Sequence, residues 1–593
     1  MQATKRHIGP EHLLAALLIL LAAASVVKTL FAGLEIDEEY ALSLGWRLIQ
    51  GDTLFYTMWE PHQLSALADA ALMWPYWAIT GTTTGILLYM RIVTLVLKAL
   101  LSIWFYRTMR RTLTPRTAFL TALALFVYTP KWFLAPDYIS QQFHFTLAAF
   151  LCFYGYYGDG GKKLWRLVPG GIFLSLSVLA FPQSAFAAPV YLLGMFLLGR
   201  RAGEKRVLGL PAGMLVTFLT CLACAGVFLV YVLQDMSLRT LIARATLILN
   251  DPQYDFTFAE RLALLGSQAA DVGKFLAKPG GVALAVVGAG IARDIYLRQE
   301  RPIRNIRYWL NILFALFSAA TVLLCLARAL RDSSLDERYF CPVLVIAGIW
   351  FFRSGRGTAR EGLFWLGYLP GVAAYLFILR STLLGFSATF MYLTWPAVCA
   401  VLALALQTRA AENGETDPCT PYALDADWAD GILLSLLGFL VVCRAFLVLT
   451  TGWKPANVLD TELTYLSDGP AAGTWADTET ADMYYALERA LDPCAGKKVL
   501  LSTGDVHGLA FLMADGTLET AQASVISSTD SDSRFANYYL ELPEKEPDVI
   551  IYNDDCVRDL DEFHQWLEEN FTITDRQAVQ YGSASLEVLT VAH

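Results

Sequence analysis

Apolar blocks of about 18 to 25 residues recur along almost the whole chain, each long enough as a helix to cross a hydrocarbon core of about 30 Å. A chain patterned this way must satisfy its backbone hydrogen bonds inside each segment, so the blocks are read as membrane-spanning helices. Composition agrees: 56% of the 593 residues are apolar and only 17% are charged, where soluble domains carry about 25% charged residues. The predicted spans are 13–33, 84–106, 115–133, 138–157, 166–182, 184–199, 207–233, 280–297, 308–329, 339–352, 361–379, 386–407 and 430–451. The first is preceded by Lys5 and Arg6 and is not followed by a small-residue cleavage site, so it reads as a retained span rather than a removable signal. The break at Phe181-Pro182-Gln183 reads as either a kink or a turn.

Lysine and arginine collect in alternate loops: Arg107 to Arg116, Lys162 to Arg166, Arg200 to Arg206, Arg293 to Arg307 and Arg353 to Arg360. The positive-inside rule makes these loops cytoplasmic. With an odd count of about thirteen spans, the C-terminus is expected outside. Charge divides the chain in the same place. From Lys454 onward there are 26 acidic and 8 basic residues, against 28 acidic and 37 basic in the remainder. The expected architecture is a polytopic α-helical membrane domain over 1–452 and an acidic extracytoplasmic α/β domain over 453–593.

Within that terminal domain, Lys498–Ser502 and Asp548–Tyr552 read as buried strands. Helical patterns lie near 478–490, 534–541 and 557–570, and two strands close the chain near 571–580 and 585–591. The stretch Gly504-Asp505-Val506-His507-Gly508 follows the first strand, where such folds often bind ligands, but does not match a dinucleotide fingerprint. Six cysteines (Cys152, Cys221, Cys224, Cys325, Cys399 and Cys443) lie in apolar blocks and read as packing residues. Cys494 and Cys556, alone in the terminal domain, could pair in an oxidising compartment.

Two loops expected on the outer face are long, 34–83 and 234–280. Tyr40–Ile49 and Ala66–Ile79 read as helices lying at the membrane interface. The second loop carries a basic amphipathic stretch around Leu238, Arg239, Arg244 and Ala245 and an Asn250-Asp251-Pro252 turn. The first opens with Leu34-Glu35-Ile36-Asp37-Glu38-Glu39-Tyr40. Carboxylates at a helix start suit its dipole, so an N-terminal cap accounts for them in the plainest way. The same carboxylates stand at the membrane surface, where a base could deprotonate an acceptor hydroxyl. A departing phosphate there would require positive charge, hydrogen-bond donors or a metal.

Asp37-Glu38-Glu39-Tyr40, Trp46-Arg47-Leu48-Ile49-Gln50-Gly51-Asp52 and Trp59-Glu60-Pro61-His62-Gln63-Leu64-Ser65 together resemble the first outer loop of the GT-C membrane glycosyltransferases. Within them the resemblance is to the branch of the protein O-mannosyltransferases and lipid A aminoarabinose transferases. In topology it covers the whole chain, and in residues mainly the first 140 positions. It implies sugar transfer from a polyprenyl-phosphate donor to an acceptor at the outer face of the cytoplasmic membrane. By it, Asp37 matches the catalytic aspartate and Glu38 its orienting neighbour, while Glu39, Glu60, His62 and Gln63 line the substrate side. Asp137, in the second outer loop, matches a position where some members place a metal-binding acid; helix capping is its plainer role. A divalent ion between Asp37 and Asp137 is one option that the sequence does not require, and the cofactor is left open. Relatives often carry a basic residue before paired prolines where this chain has Glu60-Pro61-His62. Arg338, in Leu335-Asp336-Glu337-Arg338-Tyr339, is therefore the candidate phosphate contact, with interfacial snorkelling as its alternative.

The expected partners are a polyprenyl-phosphate sugar, the bilayer, and a glycan, lipid or protein acceptor, with no nucleic acid. A transporter or lipid flippase without bond-making chemistry is the competing reading. Such proteins carry ionisable residues inside their spans and repeated halves. Here the spans hold few, Arg91 and Lys98 among them, and no internal repeat is visible. A membrane-anchored sensor with a ligand-binding terminal domain is a third reading.

Overall fold

The computed structural model describes residues 10–249 except Trp132, then 258–277, 340–352, 359–381, 389–412, 461–503, 507–513, 534–554 and 560–592. Shorter described pieces are 281, 309, 386, 437–438, 441–442, 444–445, 448–449 and 518–519. Within these residues the chain is a helical membrane domain followed by a small mixed α/β domain.

Among the described residues, six helices are long and apolar enough to cross a membrane: Leu13–Phe31, Ile86–Met109, Pro182–Arg201, Ala212–Val232, Ala359–Arg380 and Phe390–Gln407. Two shorter apolar helices, Pro115–Val127 and Leu164–Ala180, accompany them. The expected spans 280–297, 308–329 and 430–451 lie wholly or largely outside the described residues. The expected span 115–133 ends early. Its helix stops at Val127, and Tyr128 already has extended backbone dihedrals. Pro130 explains the stop, because the residue before a proline is driven out of the helical region. Residues 128–131 and 133–137 form a loop instead. At 181–183 the chain turns rather than kinks: Phe181 is extended and a 3₁₀ segment, Pro182–Ala187, leads into the next helix.

Six helices position the first long loop: α1 (Pro10–Phe31), α2 (Ile36–Gln50), α3 (Ala66–Thr80), α4 (Ile86–Met109), α5 (Pro115–Val127) and α6 (Tyr138–Gly158). α2 has acids in its first turn and Arg47 in its last, both favourable to its dipole. It ends at Gly51, whose φ of 103° is a left-handed cap. α3 packs closely on α2 at Gly45, where a Cβ would lie 2.9 Å from the Cβ of Asp69. Only a glycine allows that approach.

The terminal domain is a five-stranded sheet in the order Leu518–Glu519, Lys498–Ser502, Val549–Tyr552, Ala584–Ala592, Thr572–Tyr581. The first three strands are parallel and the last two are antiparallel additions. Its helices Thr478–Leu491, Arg534–Glu541 and Leu560–Asn570 fall where the apolar spacing placed them. One sheet face shares a core with the membrane-proximal loop: Val499, Leu501 and Ile551 pack in one cluster with Leu42, Trp46 and Met90. The opposite face takes Trp59 into a cluster with Leu500, Tyr538 and Ile550. Burial of the large side chains on both faces, at roughly 1.5–3 kcal/mol each, joins the sheet to the loop. Cys494 is buried, forms no disulfide among the described residues and donates to the Ala490 carbonyl at 3.5 Å, and Cys556 lies outside the described residues.

Candidate functional site

Glu35 caps α2, accepting from the Asp37 amide at 2.8 Å and the Glu38 amide at 3.4 Å. This cap turns the three following acids in different directions. Glu38 points inward and is buried against Arg91 of α4, which donates to its two carboxylate oxygens at 2.7 and 2.5 Å. Arg91 also donates to the carbonyls of Gly33 at 2.7 Å and Leu30 at 3.2 Å. Glu38 thereby ties the start of α2 to α1 and α4. Glu39 is buried too.

Asp37 remains accessible, with 37% of its side chain exposed, and accepts from the Nζ of Lys131. The same ammonium stands 3.4 Å from Oδ2 of Asp137. Asp137 caps α6, accepting from the Ser140 amide at 3.0 Å. Lys131 thus occupies the place between the two carboxylates where a bridging cation would lie. Burial would lower its pKa, but Asp137 and Asp37 outweigh that and hold it above the usual lysine range. Among the described residues no group of three or more His, Cys, Asp or Glu is arranged to hold a metal.

Burial, reinforced by the Asp37 charge, pushes Glu35 up to about 8. Beneath the pair lies a second buried carboxyl, Asp69 of α3. Gln141 donates to its Oδ2 at 3.1 Å, while its Oδ1 has no hydrogen-bond partner. Burial, and then the Asp137 charge, raise Asp69 well above the usual aspartate range.

The remaining loop residues from the sequence form the wall of the loop. Glu60 is buried and accepts from Arg47 Nη1 at 2.5 Å. Gln63 accepts from the Phe55 amide at 2.7 Å and donates to the Glu60 carbonyl at 3.1 Å, pinning the loop to itself. His62 adopts a left-handed φ of 60°, uncommon for a non-glycine residue. Its ring stacks on Tyr138 at 3.8 Å and on Phe181 at 5.3 Å. Burial and the Lys131 charge push its pKa down to about 4, so it is a neutral ring at physiological pH. The structure therefore brings Asp37, Asp137 and His62 to one place, and gives Glu38, Glu60 and Gln63 to internal contacts. Arg338 lies outside the described residues.

Sequence reasoning missed Lys131, which it had assigned to a membrane span. The available signal was Thr129-Pro130-Lys131, a proline-broken segment with a lone cation. It named Lys98 only as an ionisable residue within a span, and it missed Lys28 and Arg444. Lys98, near mid-helix in α4, donates to the Tyr128 carbonyl at 2.9 Å. Arg444 donates to the carbonyls of Thr129 and Lys131, each at 2.7 Å. Lys28, near the end of α1, is buried with Arg91 and Arg444 as its charged neighbours. Neither Lys28 nor Lys98 has a carboxylate partner among the described residues. Ionisable groups at such depth are costly and mark functional sites in membrane proteins. Beside Lys131, Pro130 opens a cavity between the helices that is lined by Gln142, Phe143, Ser177, Tyr392 and Trp395.

No protein-family model matches the chain, and no curated protein matches it. Among solved structures it is similar to the oligosaccharyltransferase AglB of Archaeoglobus fulgidus, in complex with an inhibitory peptide and a dolichol-phosphate. That match has 12% identity, a TM-score of 0.43 and coverage of 92% of this chain and 70% of the other. It is also similar to ArnT of Cupriavidus metallidurans bound to undecaprenyl phosphate, with 15% identity, a TM-score of 0.36 and coverage of 98% of both chains. These are likenesses of overall arrangement at TM-scores below 0.5, and the functional reading rests on the residues themselves.

Proposed function

We propose that this protein transfers a sugar from a polyprenyl-phosphate-linked donor to an acceptor at the outer face of the cytoplasmic membrane, with Asp37 as general base. The observation that carries the reading is the Asp37–Lys131–Asp137 arrangement above the buried Lys28, Lys98 and Arg444. An accessible carboxylate stands directly beside a cation, and the further cations Lys98 and Arg444 hold the backbone of the same loop from within the helices. A donor with an anionic headgroup and an apolar tail matches both: its phosphate meets Lys131 while its chain stays in the bilayer.

In the step itself the acceptor O–H gives its proton to Asp37 as its oxygen attacks the anomeric carbon. The bond from that carbon to the phosphate oxygen breaks, and the lipid phosphate leaves with one more negative charge. Lys131 is placed to meet that charge, which is greater in the transition state than in the bound donor. Asp137 holds Lys131 in place when Asp37 takes the proton. The His62–Tyr138–Phe181 stack gives the loop wall a fixed shape. On this reading the acidic terminal domain is extracytoplasmic, and the acceptor is a glycan, lipid or protein.

The test is turnover of a radiolabelled polyprenyl-phosphate hexose by purified protein, wild type against Asp37→Asn. Transfer or release of sugar by the wild type, lowered by about 10²–10⁴ in the variant, is the expected result. The cations at membrane depth also suit a lipid flippase. Movement of a labelled lipid phosphate across vesicles, with no sugar released by the wild type, would favour that reading instead.

A further inference from the structure

The terminal domain touches the acidic helix itself. Its short helix His507–Met513 meets the first turn of α2 at Gly508. A Cβ there would lie 2.6 Å from both the carbonyl carbon and oxygen of Glu39, and 2.8 Å from its Cβ. Atoms do not approach so closely, so a side chain at 508 would move one backbone or the other. Glu39 is two residues from Asp37. At the far end of the same short helix, Thr83 donates its hydroxyl to the Leu512 carbonyl, tying it to the loop before α4.

A second grip lies at the other end of α2. Lys545 pairs with Asp52 at 2.5 Å, Asp52 with Arg47 Nε at 2.6 Å, and Arg47 with Glu60 at 2.5 Å. Tyr538 donates to the Thr57 carbonyl at 2.8 Å, and Arg47 Nη2 reaches the same oxygen at 2.9 Å. The charges in this chain alternate and are mostly buried, so each holds the next in place.

From these contacts we propose that Gly508 and Lys545 are positioning residues of the outer-loop site. The terminal domain sets the start of α2, and with it Asp37, against Lys131. The membrane side of that turn is held by Arg91 on Glu38, and the opposite side by Gly508 on Glu39. Asp37 immediately precedes both residues in the same turn, so the backbone that carries it is held through its two neighbours. A base displaced by about 1 Å can lose about 100-fold in rate. The activity readout of this proposal rests on the sugar-transfer reading; its structural readout does not.

The test uses the full chain in lipid nanodiscs, comparing wild type with Gly508→Val, Gly508→Ala, Lys545→Met and Lys545→Arg. Hydrogen exchange is read over 36–42, 52–60 and the strand 498–502, and donor kcat is separated from KM. Gly508→Val is expected to speed exchange in 36–42 with 498–502 unchanged. Its kcat should fall by up to about 100-fold with donor KM near wild type. Lys545→Met should loosen 52–60, and Lys545→Arg should restore its protection. Wild-type exchange in 36–42 and wild-type kcat in Gly508→Val would overturn the proposal. Faster exchange over 498–502 in both Gly508 variants would also overturn it, since the glycine would then serve only the folding of its own domain. Should wild-type protein transfer no sugar, loosening of 36–42 still upholds the positioning role while the transfer reading fails.

Discussion

The ammonium of Lys131 stands 3.4 Å from the Asp137 carboxylate, and the two come from a loop and a helix cap separated by only six positions. Pro130 makes this geometry: by ending α5 at Val127 it frees a short loop that turns back over α6. Lys131→Met removes the cation and leaves Asp137 buried beside it without a counter-charge. Sugar transfer is expected to fall by about 10²–10³ in kcat, as when one preorganised charge-stabilising group is lost. Lys131→Arg should recover part of it. Steady-state turnover of the donor decides: equal rates in wild type and Lys131→Met would remove the residue from the site.

Arg91 and Glu38 form a buried pair, both side chains about 1% exposed. Removing one partner strands the other charge, which costs about 3–5 kcal/mol. Arg91→Met and Glu38→Gln are each expected to lower the unfolding temperature markedly. The double variant should be more stable than the sum of the single effects allows. A strictly additive double-mutant cycle, measured by thermal unfolding in detergent, would show that the pair is not coupled.

Glu35 has a pKa of about 8 in the folded protein, against about 4.3 for an ordinary glutamate. Between these values the unfolded chain releases a proton that the folded chain keeps. Stability from this group therefore falls as pH rises from about 4.3 towards 8, then levels off. Glu35→Gln keeps an acceptor for the Asp37 amide but cannot titrate. Its melting temperature is expected to gain on the wild type between pH 5 and pH 8. Parallel curves for the two proteins over that range would contradict the shift.

Burial and the Asp137 charge raise Asp69 well above the usual aspartate range, which favours the neutral carboxyl that asparagine resembles in shape and charge. Asp69→Asn is expected to keep the wild-type melting temperature at pH 7. Asp69→Leu removes one of the three acceptors of the Gln141 amide, and losing a hydrogen bond of this kind costs about 0.5–1.5 kcal/mol. Thermal unfolding of the two variants, side by side, separates the outcomes; equal destabilisation would contradict the upward shift of Asp69.

The apolar blocks of the described helices, the two helices of the first loop and the strand–helix order of the terminal domain were legible in the sequence. Each depends on a local period, or on a run long enough to cross a bilayer, and such patterns survive without knowledge of the fold. Asp37, Asp137 and His62 were named through the resemblance to the GT-C enzymes, and the structure places them close together. Other assignments depended on contacts between distant segments. Glu38 looked like a partner of Asp37 because it is its neighbour, yet a helix turns successive residues by about 100°, so one faces solvent and the next faces Arg91.

Tertiary structure alone decided that Lys131 bridges Asp37 and Asp137 across 94 positions in one case and six in the other. It alone decided that Gly508 rests on Glu39 and that Trp59 fills a core of the terminal sheet. The chain by itself determined that it would enter a membrane and carry acids at the start of a surface helix, because hydropathy and helix capping act over a few residues. Which cation meets which acid was decided only when the helices packed, because charges far apart in sequence interact through the distance and burial that packing creates.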